Sequence, residues 1–227
     1  MLYLHEIIDI VGTGQDAYLT TVGERAVHSE GSGISRLMGT WKVIGSTNRW
    51  PRVVNLWEMD GWEHWAQALE KQFLPEHRDA TLAPWWAKAT EWRSGGFDRI
   101  LVPEPWSPTR DQLRGQNRRA WVCTHTIVRL NPGRQPSYLD TVHRELRPIL
   151  EGRGLWLFGA YSAPMRSDET IILWGAPDFR TLCALYAAWE NDAELQAYSK
   201  RVAALEQESE TMWLVPSQHC FFHPERK

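Results

Sequence analysis

The sequence has little of what marks secretion, membrane insertion or nucleic-acid binding. It contains three cysteines in 227 residues and no C-x-x-C pair, which fits a reducing compartment better than secretion. No apolar run approaches the roughly 18 residues that span a bilayer, and a strand-like pattern begins at once, without a basic region or cleavage site. The formal net charge is −3 and no lysine- and arginine-rich run offsets it, so phosphate groups are not attracted from a distance. We therefore expect a cytoplasmic protein that binds neither membranes nor nucleic acids.

Several catalytic and cofactor motifs are also missing. Gly12-Thr13-Gly14 lacks the third glycine of a dinucleotide-binding fingerprint and indicates a simple turn. Neither G-x-S-x-G nor H-E-x-x-H occurs, which argues against a serine hydrolase and a zinc protease. His219 and His223 are spaced to bind a metal only if a helix forms around them. We therefore predict no nucleotide cofactor and no metal site.

What the sequence has instead is an internal duplication. One set of blocks returns at an offset of 120 residues, as from His5 to His125. Later blocks return at 117 residues, as from Trp57 to Trp174, and then at 113 residues. The order never changes and the offset shrinks only between blocks, as it would if loops had been shortened, so we infer two copies of one fold. The matched blocks are Leu4-His5-Glu6-Ile7 with Thr124-His125-Thr126-Ile127, Tyr18–Val22 with Tyr138–Val142, Met38-Gly39-Thr40-Trp41 with Phe158-Gly159-Ala160-Tyr161, Leu56-Trp57 with Leu173-Trp174, and Leu101-Val102-Pro103 with Leu214-Val215-Pro216.

Each copy has the pattern of a β-α-β-β-α-β unit. Apolar, β-branched segments that end in turn residues predict strands, and segments with helical apolar spacing predict helices. Asp60, followed three residues later by Glu63, is typical of a capping box at the start of the second helix. The proline-rich, charged segment between the copies is typical of a linker. The predicted boundaries are 1–103 for the first repeat, 104–119 for the linker, 120–217 for the second repeat and 218–227 for a C-terminal tail.

A single β-α-β-β-α-β unit leaves one apolar sheet face uncovered, and a second copy is its natural cover. We therefore predict an α+β fold in which two tandem ferredoxin-like units pack sheet to sheet as an α/β barrel. Through the strand, glycine turn and Tyr-Leu-containing helix at residues 2–22 and 122–142, the chain resembles the NIPSNAP family of the dimeric α/β barrel (ferredoxin-like) superfamily. Family members often carry Leu-Arg in the first strand, where this chain has His5-Glu6 and His125-Thr126.

This resemblance implies a fold more directly than a reaction. The superfamily includes haem-degrading monooxygenases, cofactor-independent oxygenases, dehydratases and lyases, together with members of no known activity. It also implies that the pockets lie between a sheet and its own helices.

The first strands of the two copies carry a histidine at the same position, His5 and His125. Strand alternation places Tyr3 and Asp9 on the face of His5, and the resemblance implies that this face looks toward the helices. A histidine in an apolar pocket can transfer a proton, and a carboxylate such as Asp9 can fix its tautomer. The alternative is that each histidine is a hydrogen-bonded core residue. We predict His5, His125 and Asp9 as catalytic residues.

Fourteen tryptophans are the other unusual feature of the chain, and most belong to the first copy. Indole faces combine a large apolar area with a negative quadrupole, which suits an aromatic or terpenoid molecule. Many of these indoles are alternatively plain core residues, because aromatic residues at helical spacing usually pack inside. The predicted substrate-binding residues are Tyr3, Trp41, Trp57, Tyr161 and Trp174.

Together these features predict an enzyme that converts a small hydrophobic, aromatic or terpenoid-like molecule by histidine-assisted proton transfer. It would act as a lyase, an isomerase or a cofactor-independent monooxygenase. One alternative is a binding protein without catalysis. Another is a haem-binding or haem-degrading protein, for which His64 and His77 are the candidate ligands; no other cofactor is predicted. Because the fusion supplies internally a contact that single-copy relatives make between chains, we expect a monomer or a homodimer.

Overall fold

A computed structural model describes residues 1–31, 33, 35–77 and 80–225 of the chain. The chain divides into two compact units. The first contains Met1–Leu101 and Pro216–Phe221, and the second contains Val102–Val215 and the residues from Phe222 onward. Residues 216–221, which we predicted as the end of the second repeat and part of a tail, join the first unit through a hydrogen bond from the Ser217 N–H to the Thr40 carbonyl (2.9 Å).

The first unit has the β-α-β-β-α-β order, with one extra helix before the last strand. Strands β1 and β3, β1 and β4, and β2 and β3 pair antiparallel, so the sheet order is β2-β3-β1-β4. Residues of α1 and the sheet, such as Tyr18, Val22 and Ile8, are buried in one apolar cluster. The elements are β1 (Leu2–Ile10), α1 (Gln15–Gly31), β2 (Arg36–Val43), β3 (Arg52–Met59), α2 (Trp62–Phe73), a 3-10 turn (Pro75–His77), α3 (Leu82–Thr90) and β4 (Arg93–Pro103).

The second unit repeats this order with the sheet β6-β7-β5-β8. Its first helix is interrupted by one π-helical turn just before Pro148, which cannot donate a backbone hydrogen bond to the preceding turn. The elements are α4 (Arg110–Gly115), β5 (Val122–Leu130), α5 (Gln135–Thr141), the π turn (Val142–Leu146), α6 (Arg147–Gly152), β6 (Trp156–Ser162), β7 (Glu169–Ala176), α7 (Phe179–Trp189), α8 (Ala193–Val202) and β8 (Glu206–Pro216).

The connections explain why the offset between the copies shrinks. The connection from β2 to β3 spans residues 44–51, whereas that from β6 to β7 spans 163–168. The connection from α2 to α3 spans 74–81, whereas that from α7 to α8 spans 190–192. Both shortened loops lie where the offset changes, first to 117 and then to 113 residues.

The two sheets also share their irregularities. The register shifts between Leu37 and Gly39 in one unit and between Leu157 and Gly159 in the other. A Cβ atom added to Gly39 would overlap the indole of Trp41, and one added to Gly159 would overlap the ring of Tyr161. The repeated motif Gly-x-aromatic is therefore a packing device, in which the glycine leaves room for the ring two residues later.

Two local predictions need correction. Asp60 and Glu63 do not form a capping box, because α2 begins after Gly61 without a side-chain cap and Asp60 accepts a hydrogen bond from Arg36 instead (2.7 Å). The segment predicted as a linker contains a helix, α4. Thr109 and its partner Gln112 form a capping box there, with Gln112 Oε1 accepting from the Thr109 N–H (2.8 Å).

Among the described residues, no helix combines the length and the apolar character that crossing a bilayer requires.

Candidate functional site

A row of polar side chains crosses the middle of the first unit's sheet. Thr40 of β2 lies opposite Asn55 of β3, Asn55 lies opposite Glu6 of β1, and Glu6 lies opposite Asp98 of β4. Directly opposed residues project from the same face of an antiparallel pair. On the same face, Ile8 and Val53 belong to the apolar cluster beneath the helices.

Glu6 is the most constrained member of this row, with 8% of its surface exposed. Its Oε2 atom accepts hydrogen bonds from Trp57 Nε1 (2.9 Å) and Asn55 Nδ2 (3.1 Å). The Thr40 hydroxyl donates to Asn55 Oδ1 (2.5 Å) and so fixes the orientation of the amide. The second carboxylate oxygen, Oε1, accepts no hydrogen bond from the described residues. Glu6 is therefore held firmly while one oxygen stays available to a guest molecule.

The electrostatic setting makes Glu6 a better proton acceptor than an ordinary carboxylate. Burial raises the pKa of Glu6, and the negative charge of Asp98 raises it further, against smaller opposing effects of its hydrogen bonds and of Arg93. Burial and the charge of Glu6 likewise raise the pKa of Tyr18. Tyr18 therefore remains a neutral phenol next to a carboxylate.

A cavity of about 160 Å³ lies between this sheet face and the helices. Leu4, Glu6 and Trp57 form its floor, and Arg25 and Lys71 bring positive charge to its lining. Its remaining walls are mainly aromatic, with Trp65, Trp85 and Trp86. Trp85 is anchored by a hydrogen bond from its Nε1 to the Thr21 carbonyl (3.2 Å).

The cavity lies on the face of the sheet opposite to the one we expected. It is lined by Leu4 and Glu6, so alternation places Tyr3 and His5 on the other face. Trp41 shares that other face, because its neighbour Thr40 belongs to the polar row. His5 is fully buried and lines none of the described cavities. The prediction that the His5 face of β1 looks toward the helices was therefore wrong.

Asp9 does not orient His5. Its carboxylate forms an ion pair with Arg52 (Oδ1 to Nε, 2.7 Å) and lies 3.5 Å from Arg49. Asp9 is thus one of the charged residues at the end of its strand, and its predicted role in fixing the tautomer of His5 needs correction.

The second unit has no charged group at the position of Glu6. Thr126 stands there, and its hydroxyl lies 2.9 Å from that of Thr211, which occupies the position of Asp98. Ile172 and Ala160 replace Asn55 and Thr40. The matching row is therefore neutral. His125 is fully buried on the opposite face, and Tyr161 packs over Gly159 as Trp41 packs over Gly39.

The second unit nevertheless has the larger cavity, with a volume of about 470 Å³. Trp174, predicted as a pocket residue, lines it, just as Trp57 lines the cavity of the first unit. Polar groups also reach it, from Tyr138, Tyr198 and Glu206. Burial raises the pKa of Tyr138 and of Tyr198, so both hydroxyls stay protonated. Burial also raises the pKa of Glu206.

The histidines considered as haem or metal ligands lie elsewhere. His64 Nδ1 lies 3.5 Å from Asp60, and His77 Nδ1 lies 3.6 Å from Glu70. Neither lines one of the two cavities. The segment around His219 is not helical, and the described residues contain no group of three or more His, Cys, Asp or Glu side chains placed to hold a metal ion.

The sequence patterns favoured His5, the strand neighbour of Glu6, as a catalytic residue. Glu6 belongs to one of the repeated blocks, and the comparison of the two copies contains the signal that distinguishes it. At the matched positions Glu6 and Thr126, Asn55 and Ile172, the two copies differ in charge or polarity while the flanking residues agree. Differences between the copies would have identified the polar row.

The chain folds as two β-α-β-β-α-β units in tandem, an α+β fold that the sequence predicted. The solved structure of an anthrone oxidase-like protein superposes on this chain with a TM-score of 0.66 and 13% identity. The superposition covers 95% of this chain and 91% of that protein's chain. A protein from Lactobacillus acidophilus NCFM described as a "putative monooxygenase" matches 95% of this chain and 93% of its own, with a TM-score of 0.64 and 8% identity. At such identities the likeness concerns the fold alone.

NIPSNAP family proteins are also among the similar solved structures. One from Agrobacterium tumefaciens str. C58 covers 44% of this chain and 88% of its own, with 22% identity and a TM-score of 0.39. No protein-family model and no curated protein matches the sequence.

Proposed function

We propose that the chain is an enzyme that uses Glu6 as a general base on a small phenolic molecule bound in the first unit's cavity. The removed proton leaves a phenolate that reacts with dioxygen, without a bound cofactor. The observation that carries this proposal is the buried, hydrogen-bonded carboxylate that lines a tryptophan-walled cavity in one unit of a duplicated fold.

The second unit supplies an internal control for the role of Glu6. It forms the same sheet with the same register while Thr126, Ile172 and Ala160 stand where the first unit has a polar row. The fold therefore does not require a carboxylate at this position. A buried carboxylate carries a desolvation cost, and a costly group that the fold does not need is expected to serve chemistry.

The cavity's size and walls indicate the class of substrate. Its volume of about 160 Å³ is close to that of an engineered cavity of about 150 Å³ that binds benzene. Trp57, Trp65 and Trp85 present apolar aromatic surface to a planar ring. A single-ring phenol would fill this cavity and donate a hydrogen bond from its hydroxyl to Glu6 Oε1.

The chemistry of the proposed step follows from these groups. Glu6 takes the phenolic proton, and its raised pKa brings its basicity closer to that of the substrate oxygen. The lysine and arginine in the lining, Lys71 and Arg25, favour the resulting anion. The electron-rich ring then adds dioxygen, and loss of water gives a quinone, so that one phenol and one O2 yield one quinone and one water.

Oxygenation is favoured over elimination or isomerisation by the fold comparison alone. Proteins described as anthrone oxidase-like and as a "putative monooxygenase" share the fold over 95% of this chain. The proton transfer to Glu6 would be the first step in any of the three reactions.

The test is oxygen consumption by the purified full chain with a panel of single-ring phenols, monitored together with quinone absorbance. We expect turnover in wild type and a loss of about 10²–10⁴-fold in Glu6→Gln, the usual contribution of a general base. Glu58→Gln is the matched control, because Glu58 is another buried glutamate of the same sheet that hydrogen bonds with Tyr3 (2.6 Å) and does not line this cavity.

Three other results would contradict the proposal. Equal turnover in Glu6→Gln and wild type would remove Glu6 from the reaction. Product formation without oxygen consumption would replace oxygenation by a lyase or isomerase reaction. Tight phenol binding with no product from any phenol would leave a binding protein.

A further inference from the structure

The lining of the second unit's cavity has smaller side chains than that of the first at two matched positions. Trp86 of α3 corresponds to Ser199 of α8 at the offset of 113 residues, and Glu6 corresponds to Thr126 at 120 residues. Both replacements remove side-chain volume from the cavity lining. The space grows from about 160 to about 470 Å³, which lies within the range of about 300–1,000 Å³ typical of small-molecule sites.

The walls of this cavity are apolar and partly aromatic. Leu146 and Leu150 come from the first helical segment, Ile172 and Trp174 from β7, and Leu185 from α7. A planar, largely apolar guest of two or three rings fits this volume better than a single ring.

The polar groups of the cavity select against an anionic guest. No lysine or arginine is among the residues described as lining it, so neither a carboxylate nor a phosphate would be paired. The neutral hydroxyl of Tyr198 can donate to a carbonyl oxygen, whereas the hydroxyl of Tyr138 already hydrogen bonds with Tyr198 and Glu206. Glu206 and the hydroxyl pair of Thr126 and Thr211 can accept from a phenolic hydroxyl.

We propose that the second unit's cavity is a ligand site of its own, for a polycyclic aromatic molecule that carries carbonyl and phenolic hydroxyl groups and no negative charge. At the position matched to Glu6 the site has Thr126 instead of a carboxylate. This inference does not rest on the proposed function of the first unit, because the two cavities are lined by different residues of separate units.

The test is equilibrium dialysis of 1,8-dihydroxyanthraquinone with the full chain, which gives both stoichiometry and affinity. We expect one molecule per chain. Ser199→Trp restores the indole that the first unit has at Trp86, so it should fill the space and weaken binding at least about tenfold. Tyr198→Phe removes one donor without changing the ring's shape and should weaken binding about fivefold. Glu6→Gln is the control and should leave binding unchanged, whatever its effect on turnover.

Two results would overturn the inference. The first is no binding by the wild-type chain. The second is binding that neither Ser199→Trp nor Tyr198→Phe weakens, which would place the anthraquinone elsewhere on the protein. If Ser199→Trp does not fold, Tyr198→Phe decides alone, since it adds no atoms to the unit.

Discussion

Replacement of Glu6 by glutamine separates the charge of this side chain from its shape. Glutamine keeps an oxygen that accepts from Trp57 Nε1 and Asn55 Nδ2 but cannot ionise. The pKa of Glu6 is raised in the folded chain from its ordinary value of 4.5. The folded state therefore holds the proton more tightly than the unfolded state does, and the ionised side chain lowers stability.

The sign and size of the effect follow from this pKa difference. The contribution of Glu6 to stability is complete below pH 4.5, falls as the pH rises from there through the folded-state pKa, and is constant above it. Each unit of pKa difference removes about 1.4 kcal/mol from the free energy of unfolding. The free energy of unfolding of Glu6→Gln lacks this decline. Its excess over the wild-type value should therefore grow as the pH rises from 4.5 to the folded-state pKa of Glu6 and then stay constant.

Urea unfolding at a series of pH values from about 4 to 8 measures both chains under identical conditions. Glu58→Gln again serves as the control, with the opposite sign. Glu58 hydrogen bonds with Tyr3 (2.6 Å) and pairs with Arg36 (3.0 Å), so its loss should destabilise the unit by about 1–3 kcal/mol. A stability difference between Glu6→Gln and wild type that does not change with pH would refute the reasoning, as would a variant less stable than wild type at neutral pH.

Three further predictions concern single contacts. Gly39→Ala should lower the free energy of unfolding by about 1–3 kcal/mol, because the new Cβ overlaps the indole of Trp41; an unchanged urea midpoint would contradict this packing. Trp57→Phe removes the hydrogen-bond donor that lowers the pKa of Glu6, so the rise in activity with pH should move to higher pH. An unshifted pH–rate profile would show that the hydrogen bond from Trp57 has no influence on Glu6 as a base. Thr109→Ala breaks the capping box of α4 and should cost about 1 kcal/mol in a urea melt, whereas no loss would mean that the segment does not contribute to folding.

The topology could be predicted from the sequence because its signals are local and occur twice. Apolar blocks with turn residues between them predict strands, and a second copy in the same order tests each prediction. The Gly-x-aromatic block was recognised as a repeat, although its cause, a ring packed over a glycine, needs coordinates. The helix in the linker was missed because Pro103, Pro105 and Pro108 dominate the pattern before it.

The side of the strand that meets the helices could not be predicted, and the reason is physical. Alternation identifies a sheet's inner face only when the other face is polar. In β1 seven of the nine residues are buried, on both faces, and the other two are half-buried. The strand therefore lacks the contrast that distinguishes its two sides. His5 attracted attention because of its chemistry, whereas the adjacent Glu6 lines the cavity.

The duplication also separates what the fold needs from what one unit alone has. In a symmetric homodimer both copies of a site must change together, because one gene encodes them. Fusion removes that constraint, so a cavity in one half can gain a carboxylate while the other gains volume. Residues shared by both halves, including His5 with His125 and Gly39 with Gly159, then belong to the common requirements of folding, which is consistent with the complete burial of both histidines. The unshared residues, with Glu6 foremost, are where a difference in chemistry between the two units must originate.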